Sequence, residues 1–162
     1  MLREEGNDIM RCMTRSLICS AILVATVAVA ADPSSRAEKE RKLIAVLQSD
    51  APPQDKAIPC KQLAIYGTKE AVPALAALLS NPQLASWARI ALEAIPDPAA
   101  DEALRKALAK LQGQLLIGVI NSISTRRDAK AVGGLTDKLK DSDAQVASAA
   151  APAADPGVEA PK

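Results

Sequence analysis

Histidine and phenylalanine are absent from this 162-residue sequence, and Tyr66 and Trp87 are its only aromatic residues. Surfaces that stack nucleic-acid bases rely on exposed aromatic rings, so this composition argues against single-stranded nucleic acid as a ligand. A net charge of +1 also gives no overall positive field that would attract a polyanion. We therefore expect no nucleic-acid partner.

The same shortages limit the metal and catalytic sites that the chain could form. Structural zinc is normally held by Cys and His ligands, and only one cysteine, Cys60, follows the N-terminal segment. The densest carboxylate groups, near Asp97 and Asp141, fall at expected turns and helix starts, where helix capping explains them. The sequence contains no phosphate-binding loop and no nucleophile motif. We expect no catalytic residue, no metal and no cofactor.

The first 30 residues have the pattern of an export signal. Arg11 and Arg15 precede an apolar run from Leu17 to Ala30 that ends in Ala-Val-Ala. A basic start, a short apolar run and a small-residue cleavage site are typical of a secretory signal peptide. The run is shorter than the ~20 residues that span a bilayer. We predict cleavage after Ala30, which leaves an exported protein, periplasmic or secreted, without a stable membrane anchor.

Two cysteines, Cys12 and Cys19, lie within this segment. Cys19 stands near the start of the apolar run and not after it, so the segment does not resemble a lipoprotein signal. Met10 or Met13 could be the true first residue, because the acidic residues before them are unusual in a signal peptide. After cleavage Cys60 would be the only cysteine, so no disulfide could form within the chain. We predict that Cys60 is a buried apolar residue.

Beyond the signal, apolar residues recur at helical spacing and no segment alternates as a strand does. The clearest helix begins near Lys69, where Pro73 suits the first turn, and Gly67 should cap the helix before it. The predicted helices cover 36–48, 54–66, 69–79, 84–95, 99–111, 115–124, 129–140 and 142–150. The pattern therefore predicts an all-α protein.

These helices form one domain over residues 36–150. Residues 31–35 are expected to be a linker. Residues 151–162 are expected to be a disordered Ala/Pro-rich tail, because Pro152 should end the last helix.

The apolar residues of successive helices repeat in pairs. Equivalent places in the first helices are taken by Ile44, Val72, Leu104 and Val132, which are 28, 32 and 28 residues apart. Equivalent places in the second helices are taken by Leu63, Leu92 and Ile120. One pair cannot bury its own apolar face, so neighbouring pairs should stack around a shared core. In the last pair, Leu135 and Leu139 are expected to face this core with Val132.

The segment Leu63-Ala-Ile-Tyr-Gly-Thr-Lys-Glu-Ala-Val-Pro-Ala-Leu75 resembles the central signature of bacterial HEAT-like repeats. Its later equivalents, which begin at Leu92 and Ile120, are looser because neither has the glycine. The resemblance covers residues 36–150 and implies an armadillo-like helical fold: a right-handed α-solenoid, or superhelix, of about three and a half antiparallel helical hairpins. It also implies that the second helices form a concave surface for protein contacts.

Such a fold is compatible with many functions. The leading hypothesis is a non-enzymatic exported scaffold that binds another protein, whose identity the sequence does not give. One alternative is a truncated repeat segment of a larger exported enzyme or cytochrome, and another is a HEAT-like bilin lyase. A partner or a second copy of the chain could dock at the C-terminal end, because no polar capping repeat is evident there.

The candidate partner-binding residues are second-helix positions that should turn away from the core, with one aromatic residue and one basic pair. They are Lys61, Ser86, Trp87, Arg89, Glu93, Gln114, Asn121, Arg126 and Arg127. Trp87 fits either a core filler or a partner-binding anchor. Arg126 and Arg127 are expected on a loop, where the simpler interpretation is a solvated turn with Asp128 as their partner. Gly133 and Gly134 are expected to permit close helix packing.

Overall fold

The computed structural model describes residues 33–155, and the predicted signal peptide lies outside them. This part of the chain forms eight α-helices, two short 3-10 helices and no strand. The α-helices are α1 (Pro33–Gln48), α2 (Pro53–Tyr66), α3 (Val72–Leu78), α4 (Ala85–Ala94), α5 (Pro98–Lys110), α6 (Gly113–Arg126), α7 (Val132–Lys138) and α8 (Ala144–Ala154). The 3-10 helices, Lys69–Ala71 and Ala129–Ala131, lead directly into α3 and α7. The prediction of an all-helical fold is confirmed for this range.

The helices contact one another as two rows. In the first row α1, α3, α5 and α7 are neighbours in that order, and in the second row α2, α4, α6 and α8 are neighbours in the same way. Each first-row helix also packs on the helix that follows it in the chain. Neighbour-to-neighbour packing of this kind is how a repeat protein shares one core among several short units.

The core lies between the two rows and consists mainly of leucine, isoleucine and alanine. Leu63, Leu92 and Ile120, which were predicted to be equivalent, are all fully buried. Burial of one such side chain contributes about 1.5–3 kcal/mol to folding. Several alanines are also fully buried, among them Ala71, Ala88, Ala91 and Ala100. These small side chains allow neighbouring helices to approach closely.

Side-chain caps fix where several helices begin. Thr68, Asp97, Asp128 and Asp143 each accept a hydrogen bond from the backbone N–H two residues later. Glu40 of α1 is buried, and its Oε1 accepts bonds from the Thr68 amide at 2.6 Å and the Thr68 hydroxyl at 2.9 Å. The carboxylate of Glu40 therefore holds the start of the second pair against the first helix.

Gly67 caps α2 as predicted, but in an extended conformation with φ −66°. A Cβ at this position would lie 2.3 Å from the carbonyl oxygen of Leu63 and 3.1 Å from Cδ1 of Ile95. Glycine is required here because the chain turns tightly over the end of α2, and not because the backbone is left-handed.

Two predicted boundaries are wrong. α1 begins at Pro33, so residues 33–35 of the predicted linker belong to the helix, where proline suits the first turn. α8 continues through Pro152 to Ala154, so residues 151–154 do not belong to a tail. Pro152 removes one helical hydrogen bond close to the helix end, and Ala153 and Ala154 still pack against the core. Residues 156–162 lie outside the described range.

Leu139 was predicted to be buried and is instead 40% exposed. Its equivalent 60 residues earlier, Leu79, is almost fully buried and lines the junction between α3 and α5. Since no described helix follows α8, nothing covers Leu139 in the same way. Gly134 is close-packed, because a Cβ there would lie 3.1 Å from Leu108, but Gly133 faces open space. The close-packing interpretation therefore holds for only one of the two glycines.

Candidate functional site

Large apolar side chains are exposed on the outer side of α2 and α4. Ile58 is 64% exposed, Ile65 63%, Trp87 39% and Ile90 49%. Spacings of seven and three residues keep each pair on one side of its helix. Counted from the equivalent residues Leu63 and Leu92, Ile58 corresponds in position to Trp87. Because α2 and α4 are packed neighbours, we call these four residues the outer apolar patch.

Two of the predicted partner-binding residues lie on the same sides of these helices. Lys61 is exposed between Ile58 and Ile65 in the sequence of α2, and it forms no ion pair with any residue of the described range. Ser86 is exposed beside Trp87 in α4. The outer apolar patch therefore has one unpaired cation within it and a hydroxyl beside it.

Arg89 and Glu93 face the neighbouring helix more than solvent. Nη1 of Arg89 donates to the carbonyl oxygen of Gly118 at 3.0 Å and to the hydroxyl of the buried Ser122 at 3.1 Å. Glu93 Oε1 lies 3.9 Å from the same nitrogen. The guanidinium of Arg89 therefore links α4 to α6 through Nη1, while Nη2 donates to the hydroxyl of Ser86 at 3.4 Å within α4.

Arg126 is the last residue of α6, and its side chain is nearly buried. Nη1 donates to three backbone oxygens at the end of α4: Leu92 at 2.9 Å, Glu93 at 3.0 Å and Ile95 at 2.7 Å. Nη2 reaches the carbonyl oxygen of Asp97 at 3.3 Å, and Nε pairs with Asp101. These carbonyls lack helical partners and carry the negative end of the helix dipole. Arg126 therefore caps α4 from the next helix of the second row.

The expected solvated turn at Arg126-Arg127-Asp128 is wrong in two respects. Arg126 is occupied by α4, and the nearly buried carboxylate of Asp128 pairs with Arg105 of α5. Arg127 does lie in a turn and is exposed. Its backbone is left-handed, with φ 53°, and its N–H donates to the carbonyls of Ile123 and Ser124. Of the basic pair, Arg127 alone has a side chain free to meet a partner.

Gln114 and Asn121 line a second feature, a groove of about 460 Å³ between α6 and α8. The other lining residues are Ile117, Ala144, Gln145, Ser148 and Ala149. Nε2 of Gln114 donates to Oε1 of Gln145 at 3.0 Å, which bridges the two helices. The second row is therefore apolar on the outside of α2 and α4, and rich in amides between α6 and α8.

Three residues of the outer apolar patch, Ile58, Ile65 and Ile90, were missed by the sequence reasoning. The sequence could have predicted exposure of Ile58 and Ile65, because helical spacing places neither residue on the apolar face of α2 that contains Leu63. Cys60 was placed correctly, since it is fully buried, and burial raises the pKa of its thiol to about 11.

No protein-family model matches the sequence, and no curated protein matches it significantly. None of the helices in the described part of the chain is both long and apolar enough to cross a membrane. Within residues 33–155, no three Cys, Asp or Glu side chains are grouped as ligands for a metal ion. We therefore base a proposed function on the geometry of the two helix rows.

Proposed function

We propose that this chain is an exported HEAT-like repeat module that binds another protein through its second-row helices and has no enzymatic activity. The outer apolar patch is the observation that supports this most strongly. Single exposed apolar residues are normal on a protein surface, but a group of them on adjoining helices is typical of an interaction site. Tryptophan is also enriched among the residues that dominate binding energy.

The proposed architecture is a right-handed solenoid of four antiparallel hairpins, α1–α2, α3–α4, α5–α6 and α7–α8. The order of contacts within each row supports it. A recurring local structure supports it as well: Thr68 and Asp128, 60 residues apart, each cap a 3-10 turn that leads into a seven-residue helix. The last hairpin is longer than the half repeat expected from the sequence.

The surface chemistry indicates what the partner should present. A partner segment over α2 and α4 should carry apolar side chains, because burial of apolar area is the main driving force for association. A carboxylate near Lys61 would complement its charge. A segment over α6 and α8 should be polar, because the amides of Gln114, Asn121 and Gln145 both donate and accept hydrogen bonds.

Site-specific photo-crosslinking tests the proposed surface. A photoreactive amino acid replaces Trp87 in one variant and Ser142, which is exposed between α7 and α8, in the other. In cells that export the protein, we expect a crosslinked adduct with a different protein from position 87 and no adduct with a different protein from position 142. Equal adducts at both positions, or none from a folded and exported protein, would contradict the proposal.

Charge substitutions provide a matched control. Ile58→Asp should abolish the adduct at position 87 without lowering the melting temperature, because Ile58 is already largely in solvent. Leu139→Asp makes the same chemical change at an exposed apolar residue of the last pair and should leave the adduct intact.

A further inference from the structure

The first row contains a separate feature, a groove of about 680 Å³ between α3 and α5. Its lining is mostly small and apolar. The lining includes Val72 of α3 and Leu79 directly after it, and Ala103, Glu102, Lys106 and Lys110 on α5. The volume falls within the range of about 300–1,000 Å³ that is usual for small-ligand sites.

The shape of the groove follows from the spacing of its residues. On α5 the lining residues recur every three or four positions from Ala99 to Lys110, so the groove follows almost the whole helix, roughly 16 Å at ~1.5 Å per residue. Its floor consists of the buried Val72, Leu79 and Ala107. The result is a long groove with mostly apolar walls that is open to solvent along one side.

All charge in the groove comes from α5. Lys106 and Glu102 form an ion pair at 2.6 Å. The hydrogen bond from Lys106, together with its charge, lowers the pKa of the Glu102 carboxyl, so Glu102 is ionised at neutral pH. Lys110, at the C-terminal end of α5, is exposed and forms no ion pair with the other described residues. The groove therefore has a net positive charge, located at one end.

We infer that this groove binds a linear alkyl chain that ends in a single anionic group, with the chain along the alanines and the anion at Lys110. The exposed ammonium of Lys110 at one end of the groove complements a single anionic group, and the small apolar residues along α5 complement an unbranched chain. An extended alkyl chain needs only apolar walls. The inference concerns the row opposite the outer apolar patch and does not depend on the proposed protein partner.

Isothermal titration calorimetry with the protein purified from cells that produce it tests the binding. The probes are decanoate, decyl sulfate, decyl maltoside and decyltrimethylammonium, each below its critical micelle concentration. We expect decanoate and decyl sulfate to bind one to one, and the other two at least about tenfold more weakly, the equivalent of one charge interaction near a surface. Dodecanoate should bind more tightly than decanoate, by up to about fourfold for each added CH2 group.

Two charge-reversal substitutions test whether the charge of Lys110 contributes to anion binding. Lys110→Glu should weaken decanoate binding by about tenfold or more, whereas Lys140→Glu, at an exposed lysine beyond α7, should leave it unchanged. Both lysines are exposed, so circular dichroism should match that of the parent protein. Lys110→Glu should lower the melting temperature only slightly, because a negative charge at the C-terminal end of α5 opposes the helix dipole. Absence of anion binding below the micelle concentration, or equal binding of the cationic probe, would overturn the inference.

NMR with methyl-labelled alanine locates the ligand. Decanoate should shift the methyl signals of Ala76, Ala103 and Ala107, and leave Ala144 and Ala149 of the α6–α8 groove unchanged. Shifts confined to Ala144 and Ala149, or spread evenly over the surface alanines, would also overturn the inference. Failure of these experiments would leave the crosslinking test at Trp87 unaffected, because the two sites lie on different rows.

Discussion

The guanidinium of Arg126 donates hydrogen bonds to backbone carbonyls at the C-terminal end of α4 that have no helical donor. Pro96 has no N–H to donate to the carbonyl of Leu92, and α4 ends before the carbonyls of Glu93 and Ile95 can receive helical donors. Arg126 supplies donors to all three carbonyls from α6. Arginine suits this role because its fork of N–H groups is rigid and always charged. A lysine would present a single point charge and could not reach the backbone oxygens and Asp101 together.

Substitution of the two adjacent arginines should give opposite results. Arg126→Ala should lower the free energy of unfolding by about 2–3 kcal/mol, because charged hydrogen bonds are lost and carbonyls are left without donors. Arg126→Lys should recover only part of this loss. Arg127→Gly should be neutral or slightly stabilising, since glycine adopts the left-handed backbone of residue 127 without strain. Urea unfolding measures all three, and equal losses for Arg126→Ala and Arg127→Gly would disprove the capping role.

Arg89 should also contribute to stability, although its sequence position indicated an exposed residue. Arg89→Ala should cost about 1 kcal/mol, the usual net value of a hydrogen bond between protein groups. Ser122→Ala and the double variant complete a double-mutant cycle. A coupling energy of zero in urea unfolding would show that the contact between α4 and α6 does not stabilise the fold.

The roles of these arginines could not have been predicted from the sequence. Apart from Ser86 and Asp101, their acceptors lie 29 to 34 residues away, in the neighbouring pair of helices. Local spacing shows which side of a helix a residue occupies, but not which backbone group of another helix lies opposite. The sequence thus identified Arg89 and Arg126 as off the apolar stripe, and their actual contacts depend on how the pairs stack.

Within a single helix, the spacing of apolar residues predicted burial better than it predicted contacts between helices. Leu84, Ala88, Ala91 and Ile95 recur at helical spacing in the predicted helix 84–95, and all four are buried. The same spacing wrongly predicted that Leu139 is buried, although Leu79, which follows α3 as Leu139 follows α7, is buried. The spacing of apolar residues within a helix predicts which residues share a face. Whether the last residue of that face is buried depends on whether a further helix pair packs against it.

Leucine truncations test this distinction. Leu75→Ala and Leu108→Ala should each cost about 2–5 kcal/mol, because both side chains are buried in the shared core. Leu139→Ala should change stability by only about 0.5 kcal/mol, as is usual for an exposed site. Thermal unfolding distinguishes the two classes, and a large loss for Leu139→Ala would show that this side chain is covered in solution.

Across the whole molecule, stability should decline towards the C-terminal pair. That pair has few fully buried apolar side chains, chiefly Leu135, Val146 and Ala150, and among the described helices it has neighbours on one side only. In stacked repeats, the terminal unit opens most readily because it shares one interface and not two.

Hydrogen exchange should therefore show less amide protection in residues 129–154 than in residues 69–95. The measurement is made on protein shown to be monomeric, so that self-association through the C-terminal end cannot add protection. Equal protection in the two ranges would mean that the last pair is as well supported as the central ones.

The predicted export and cleavage can also be tested. If the N-terminal segment is a signal peptide, protein recovered from outside the cytoplasm should begin at Ala31, because the Ala-Val-Ala sequence allows cleavage after Ala30. N-terminal sequencing decides this. Exported protein that still begins at Met1 or Met10 would refute the proposed cleavage.

Because Cys60 is fully buried, the reactivity of its thiol should report how often α2 opens. A fully covered thiol with a pKa of about 11 is almost entirely protonated at neutral pH, so it reacts only when α2 separates from its neighbours. The rate at which a thiol reagent labels the native protein should then follow the opening equilibrium of α2. In an oxidising compartment, a covalent dimer through Cys60 could form only between two such opened chains. At a fixed protein concentration and with a fixed amount of added oxidant to accept the two electrons, dimer should therefore form faster in a variant whose α2 opens more often.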